Sequence, residues 1–204
     1  MVDYLIVVFT ITLIYFASAE RLIIYINLLA IQGLLLCGIA VFELTEVDPL
    51  NLLLIVSETL LIKALLVPFM LKKIMNRSGV VKVHRQAMPG FYLLIILIAG
   101  LFASVIIADS IPNPYVTAFF MAVSFFTLFT GLLLIVTHKL IISHITGFLI
   151  LENAVFLFSI AVGNEMPMMI NIGILLDIFV GVLIIGYFGL RLKPRTNELT
   201  MLKD

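Results

Sequence analysis

LIISHITGFLILENAVFLFSIAVG, residues 140–163, is apolar throughout except for a few hydroxyls, His144 and the adjacent pair Glu152-Asn153. A helix needs roughly 20 mainly apolar residues, each rising about 1.5 Å, to cross the hydrocarbon of a bilayer. This run is long enough to cross, and it carries a carboxyl near its midpoint. Working outward, similar runs fall at about 4–19, 22–42, 50–71, 91–108, 115–137 and 166–190. Short polar stretches separate them: Glu20-Arg21, the acidic turn Glu43 to Pro49, the basic stretch Lys72 to Pro89, Asp109 to Pro114, His138-Lys139 and Asn164-Glu165.

Composition agrees with this reading. The 204 residues are 63% hydrophobic and 12% charged, with a mean hydropathy of +1.28. A soluble domain is roughly half apolar and a quarter charged, so no water-soluble fold could hide this much apolar surface. The expected fold is all-α: a polytopic membrane bundle of about seven transmembrane helices, with lipid as its main surroundings. One cysteine, Cys37, and three histidines, His84, His138 and His144, allow no disulfide and no cysteine-based metal cluster. There is no Trp, no glycine-rich phosphate loop and no segment the size of a soluble domain. No cofactor, metal or nucleic acid is therefore expected on this chain, and any nucleotide, haem or iron–sulfur chemistry would belong to a partner.

The first run raises the question of a signal peptide, because Ala17-Ser18-Ala19 imitates a cleavage site. Its leading segment has Asp3 but no Lys or Arg. With all seven runs spanning, one side receives Arg21, Lys72, Lys73, Arg77, Lys82, Arg85, Lys139, Arg191, Lys193, Arg195 and Lys203. The other side receives Asp3, Glu43, Glu46, Asp48, Asp109 and Glu165, with no Lys or Arg. The positive-inside rule then makes the basic face cytoplasmic, the N-terminus outside and the C-terminus inside. Removing the first run would place the basic 72–89 loop outside and break the pattern.

Few charges fall within spans: Lys63 among the bases, and Glu58, Glu152 and Asp177 among the acids. Each costs roughly 2.5–3.5 kcal/mol on insertion scales, and such residues usually mark ion or proton paths. Glu152 and Asp177 fall near mid-helix, Glu58 slightly toward the outer half, and Gln32 near the middle of the second span. Gln32 and Asn153 read first as groups that join helices by hydrogen bonding. An amide would do that at lower desolvation cost than a carboxyl, so Glu152 and Asp177 read as proton stations: a carboxyl in low dielectric exchanges protons near neutral pH. Lys63 follows Glu58 by five residues, some 140° around a straight α-helix, which is poor geometry for a direct pair. It either faces a neighbouring helix or extends toward the cytoplasmic end; otherwise the opposite charges of Glu58 and Lys63 would tune each other's protonation. His144, about 12 Å nearer the cytoplasm than Glu152, reads first as an interfacial, solvated histidine and second as a feeder of protons. His84 and His138 read as ordinary loop residues. Ser124, Thr127 and Thr130 read as packing and back-bonded hydroxyls.

A weak repeat runs through the chain. Gln32 and Glu58 lie twenty-six residues apart on successive spans, and Glu152 and Asp177 twenty-five apart on two others. Ile31-Gln32-Gly33 before Gly38-Ile39-Ala40-Val41 rhymes with Leu151-Glu152-Asn153 before Ser159-Ile160-Ala161-Val162. The pattern is a parallel duplication of a three-helix unit: residues 1–74, then a basic loop and linker helix over 75–110, then a second unit with a basic tail over 111–204.

A three-helix unit with mid-membrane acids in its second and third helices resembles the K-type subunit of complex I and the C-type subunit of Mrp-like sodium/proton antiporters. LENAVFLFSIAVG with Glu152 and INIGILLDIFVGVLIIGYFGLRL with Asp177 carry that likeness. Nearly the whole chain resembles component E of hydrogenase-4-type complexes, to which the first half adds SETLLIKALLVPFMLKKI with Glu58, Lys63 and Pro68. Two departures stand out: Gln32 where the repeat expects an acid, and Asp177 where the K-type helix usually has glutamate. The resemblance implies a non-catalytic, proton-translocating membrane-arm subunit of a complex I-like respiratory oxidoreductase in a prokaryotic cytoplasmic membrane. Its implied neighbours are antiporter-like and H-type subunits. Peripheral subunits would hold the iron–sulfur clusters or a nickel–iron site. The alternatives are a subunit of a multisubunit sodium/proton antiporter without a redox module, a stand-alone small transporter or channel, and a membrane scaffold.

Overall fold

The computed structural model describes residues 1–19, 21–43, 49–78, 89–111, 117–138 and 141–162. Among them the regular structure is helical, with isolated bridge geometry at Arg21 and His138 and no strand. The order is α1 (Val2–Ser18), α2 (Leu22–Glu43), α3 (Pro49–Glu58), a π-helical segment (Thr59–Leu66), α4 (Val67–Ser78), α5 (Gly90–Asp109), α6 (Ala118–Thr137) and α7 (Ile141–Val162). Segments Leu22–Glu43, Leu52–Lys73, Gly90–Asp109, Ala118–Thr137 and Ser143–Val162 are each long and apolar enough to cross a membrane. α1 is apolar but has 17 residues, about 25 Å of rise against a hydrocarbon core of about 30 Å. The seventh expected span, 166–190, lies outside the described residues, and so does Asp177.

α3, the π segment and α4 form one continuous helical rod, which agrees with a single third span. The change of winding has a local cause. Pro68 has no N–H to donate to the carbonyl of Ala64, and its ring crowds that carbonyl, so α-helical bonding cannot continue through it unchanged. Local π adjustment is one way a membrane helix satisfies backbone groups released by proline.

α2 is the central helix, packed against α1, the π segment, α4 and α7. Its Leu22, Tyr25, Leu36 and Ile39 are fully buried, together with Phe9, Leu13 and Phe16 of α1, Phe126 of α6 and Leu157 of α7. Backbone contact is closest where side chains are missing. A Cβ on Gly33 would stand 2.8 Å from the backbone N of Ala64, so glycine lets α2 sit directly on the π segment. On α6 and α7, Gly131 and Gly147 face each other, and a Cβ on either would stand 2.8 Å from the other's carbonyl oxygen. The outward surface is apolar: Phe91, Phe102 and Ile106 of α5, Leu53, Leu61 and Phe69 of the third rod, and Val136 of α6 are all exposed. Water would penalise that surface, whereas lipid tails accept it without cost.

Candidate functional site

Three helices bring their polar side chains to one level of the bundle. The Asn153 amide nitrogen donates to Gln32 Oε1 at 3.2 Å. Gln32 Nε2 in turn donates to Thr12 Oγ1 at 3.0 Å. The Thr12 hydroxyl hands its own proton to the carbonyl of Phe9 at 2.6 Å. The chain of donors thus runs from α7 through α2 to α1, and Thr12, Gln32 and Asn153 are all buried. The expectation that Gln32 and Asn153 join helices describes what their bonds do.

Glu152 precedes Asn153 on α7 and is 8% exposed. Its carboxyl is inside the bundle and not in lipid, at mid-span, next to a buried amide chain. Lys63 is 7% exposed, and its Nζ lies 5.4 Å from the ring centroid of Phe156, one helical turn beyond Glu152. Lys63 therefore faces a neighbouring helix and does not extend along its own rod toward the membrane surface. Gly33 fixes the third side of the site, because its close approach to the backbone of Lys63 and Ala64 puts Gln32 at the level of the lysine. Gln32, Lys63 and Glu152, read from separate spans, converge.

The π segment changes the relation between Glu58 and Lys63. A straight α-helix would separate them by some 140°, but a π-helix closes i→i+5 rings, which bring residues five apart into register along the rod. Glu58 closes α3 directly before the π segment, and its side chain lies outside the described ones. His144 is half-buried in the second turn of α7. Ser124, Thr127 and Thr130 donate to the carbonyls of Met121, Val123 and Phe126 on their own helix, as back-bonded hydroxyls do.

Two residues of this polar interior are not singled out by sequence reasoning. Thr12 is one of several hydroxyls in α1 and nothing in its neighbours marks it. His138, read as a loop residue, is 2% exposed and caps α6. Its Nε2 lies 3.0 Å from the hydroxyl of Tyr25, a contact between chain segments more than a hundred residues apart. The signal available in the sequence was the spacing of Tyr25 and Gln32, seven residues apart and therefore on one face of α2. Among the described residues no group of three or more His, Cys, Asp or Glu could hold a metal ion.

Comparison of the chain with protein-family models, with curated proteins and with solved structures finds no match.

Proposed function

We propose that this chain is a seven-span membrane-arm subunit of a complex I-like, redox-driven ion pump of the hydrogenase-4 type, in which Glu152 takes up and releases the transported proton. The carrying observation is the burial of Glu152 at mid-span on the level of Gln32 and Lys63. A buried carboxyl is a costly way to hold helices together when amides already do so a residue away, and its retention is explained by a proton that comes and goes. Lys63 supplies positive charge to the same level, so the proton's residence on Glu152 responds to any movement of the π segment. Asp177 is the second station of the relay and Glu58 the third.

The repeat supports this reading through position. Gln32 and Glu152 occupy corresponding places in the two three-helix units, and the structure sets Gln32 in hydrogen-bond contact with Glu152's neighbour. The basic loops place the Arg21 end of the bundle in the cytoplasm. Redox chemistry belongs to peripheral subunits with iron–sulfur or nickel–iron centres, and antiporter-like and H-type subunits are the lateral neighbours. Extraction in mild detergent followed by mass spectrometry tests the assignment. Antiporter-like, H-type and redox subunits are expected in stoichiometric amounts. Antiporter subunits without any redox subunit would replace this reading with the sodium/proton antiporter, and a chain that purifies alone would contradict both.

A further inference from the structure

His138 is a buried ionisable group that the proton site above does not use, and its surroundings fix its protonation state. Nδ1 lies 3.1 Å from the carbonyl oxygen of Leu134, which can only accept, so Nδ1 carries a hydrogen. Thr137 Oγ1, 3.0 Å from the same nitrogen, has committed its own proton to Leu133 O at 2.6 Å and also accepts. Nε2 is therefore the lone-pair nitrogen, and the Tyr25 hydroxyl donates to it at 3.0 Å. Burial lowers the pKa of His138 below its ordinary 6.5 and repulsion from His144 adds to the shift, while the Leu134 carbonyl works the other way. The imidazole is neutral at pH 7, so it can pass a proton on but does not store one.

The faces that lead inward from this pair are polar and repeat every seven residues. On α2 Tyr25 is followed by Gln32, on α6 Thr137 is preceded by Thr130, and on α7 Thr146 is followed by Asn153. Seven residues are two turns and about 10.5 Å of depth. All six side chains are buried. Ser143, in the first turn of α7, is fully buried and its hydroxyl has no hydrogen-bond partner among the described residues, which is the kind of group that a bound water satisfies.

We infer that His138 and Tyr25 form the proton entry to Glu152 from the Arg21 side of the membrane, with water in the seam between α2 and α7 completing the path. The inference rests on Glu152 being a proton station. The Tyr25 hydroxyl first turns its hydrogen from Nε2 of His138 to a water deeper in the seam, and the freed Nε2 lone pair takes up a proton from the aqueous side. The Tyr25 oxygen accepts that proton as it releases its own to that water, and the proton ends on the Glu152 carboxylate. One proton is bound and one delivered, and His138 and Tyr25 return to their starting forms. Among the described residues the ionisable groups nearest the entry in the fold are Tyr25 from α2, His144 from α7 and the exposed Arg21 just before α2. Repulsion from His144 works against any long-lived imidazolium.

The test uses the full chain in phosphatidylcholine vesicles, a rapid pH jump, and the infrared carboxyl band of Glu152, assigned by its loss in Glu152→Gln. His138→Ala and the hydrogen-bonding variant His138→Gln are both expected to slow protonation of that band roughly tenfold or more. Added imidazole is expected to restore the rate in His138→Ala. Tyr25→Phe is expected to be slow and unresponsive to imidazole. Unchanged rates in the histidine variants, or slowed rates that imidazole leaves untouched, would overturn the entry route and make His138 a structural residue. A Glu152→Gln variant that removes no titrating band would instead refute Glu152 as a station, and the route with it.

Discussion

Replacing Gly33 with alanine tests the packing that puts Gln32 and Lys63 at one level. The added Cβ would stand 2.8 Å from Ala64 N and 2.9 Å from Ala64 Cα and Lys63 C. Ordinary carbon contacts need about 3.5–4.0 Å, so α2 and the π segment would have to part by roughly 0.7–1 Å. All three obstacles are backbone atoms, and no rotamer change relieves them. Overpacking of this kind costs about 1–3 kcal/mol, while exchanging glycine for alanine in a helix returns up to about 1 kcal/mol. Gly38 on the same helix is the control: a Cβ there meets only Leu5 Cδ1 at 3.3 Å, a side-chain tip that can turn aside. Unfolding in mixed micelles, followed by circular dichroism, should therefore place Gly33→Ala about 1–3 kcal/mol below Gly38→Ala. Equal stability of the two variants would refute the close seating of α2 on the π segment, and the convergence of Gln32 with Lys63 would lose its support.

Gln32→Leu removes the bonds to Thr12 and Asn153, and at roughly 0.6–1.7 kcal/mol for each interhelical bond it should lose about 1–3 kcal/mol in the same unfolding assay. Gln32→Glu should add one titrating carboxyl band to those of the native chain in infrared spectra, since it restores the acid that the repeat expects beside Asn153; a spectrum with no added band would contradict this. The histidine gives a pH dependence with a definite sign. The folded pKa of His138 is below 6.5, so between the two values the unfolded chain binds more protons and stability rises with pH. The stabilisation is present above about 6.5 and is lost as pH falls through the folded value, and a melting curve of His138→Gln should be flatter over that window. Single-cysteine labelling in a Cys37→Ala background should modify Asp109→Cys from outside intact cells and Arg21→Cys only after permeabilisation; the reverse pattern would invert the orientation.

The apolar runs were legible because lipid imposes a length and a composition that few other environments ask for, and five of the runs appear as helices long enough to span. Depth is legible too, since rise per residue is fixed: Gln32 and Glu152 read as mid-span residues and share a level, with Gln32 bonded to Asn153. Azimuth was harder to read. Spacing gives azimuth only on a straight α-helix, and the π segment before Pro68 departs from one between Glu58 and Lys63. His138 was missed because charge near a turn suggests solvent, whereas its own side chain is buried against Tyr25 of α2. The one local trace of this contact is the seven-residue spacing of Tyr25 and Gln32 on α2.

The most direct measurement is proton pumping coupled to the partner's turnover, in membranes where Glu152→Gln replaces the native residue. Glutamine has nearly the same size and keeps a hydrogen-bonding end, so the subunit is expected to assemble at its normal level. The number of protons moved per turnover is expected to fall. An assembled variant complex that pumps as many protons per turnover as the native one would show that Glu152 carries none of them.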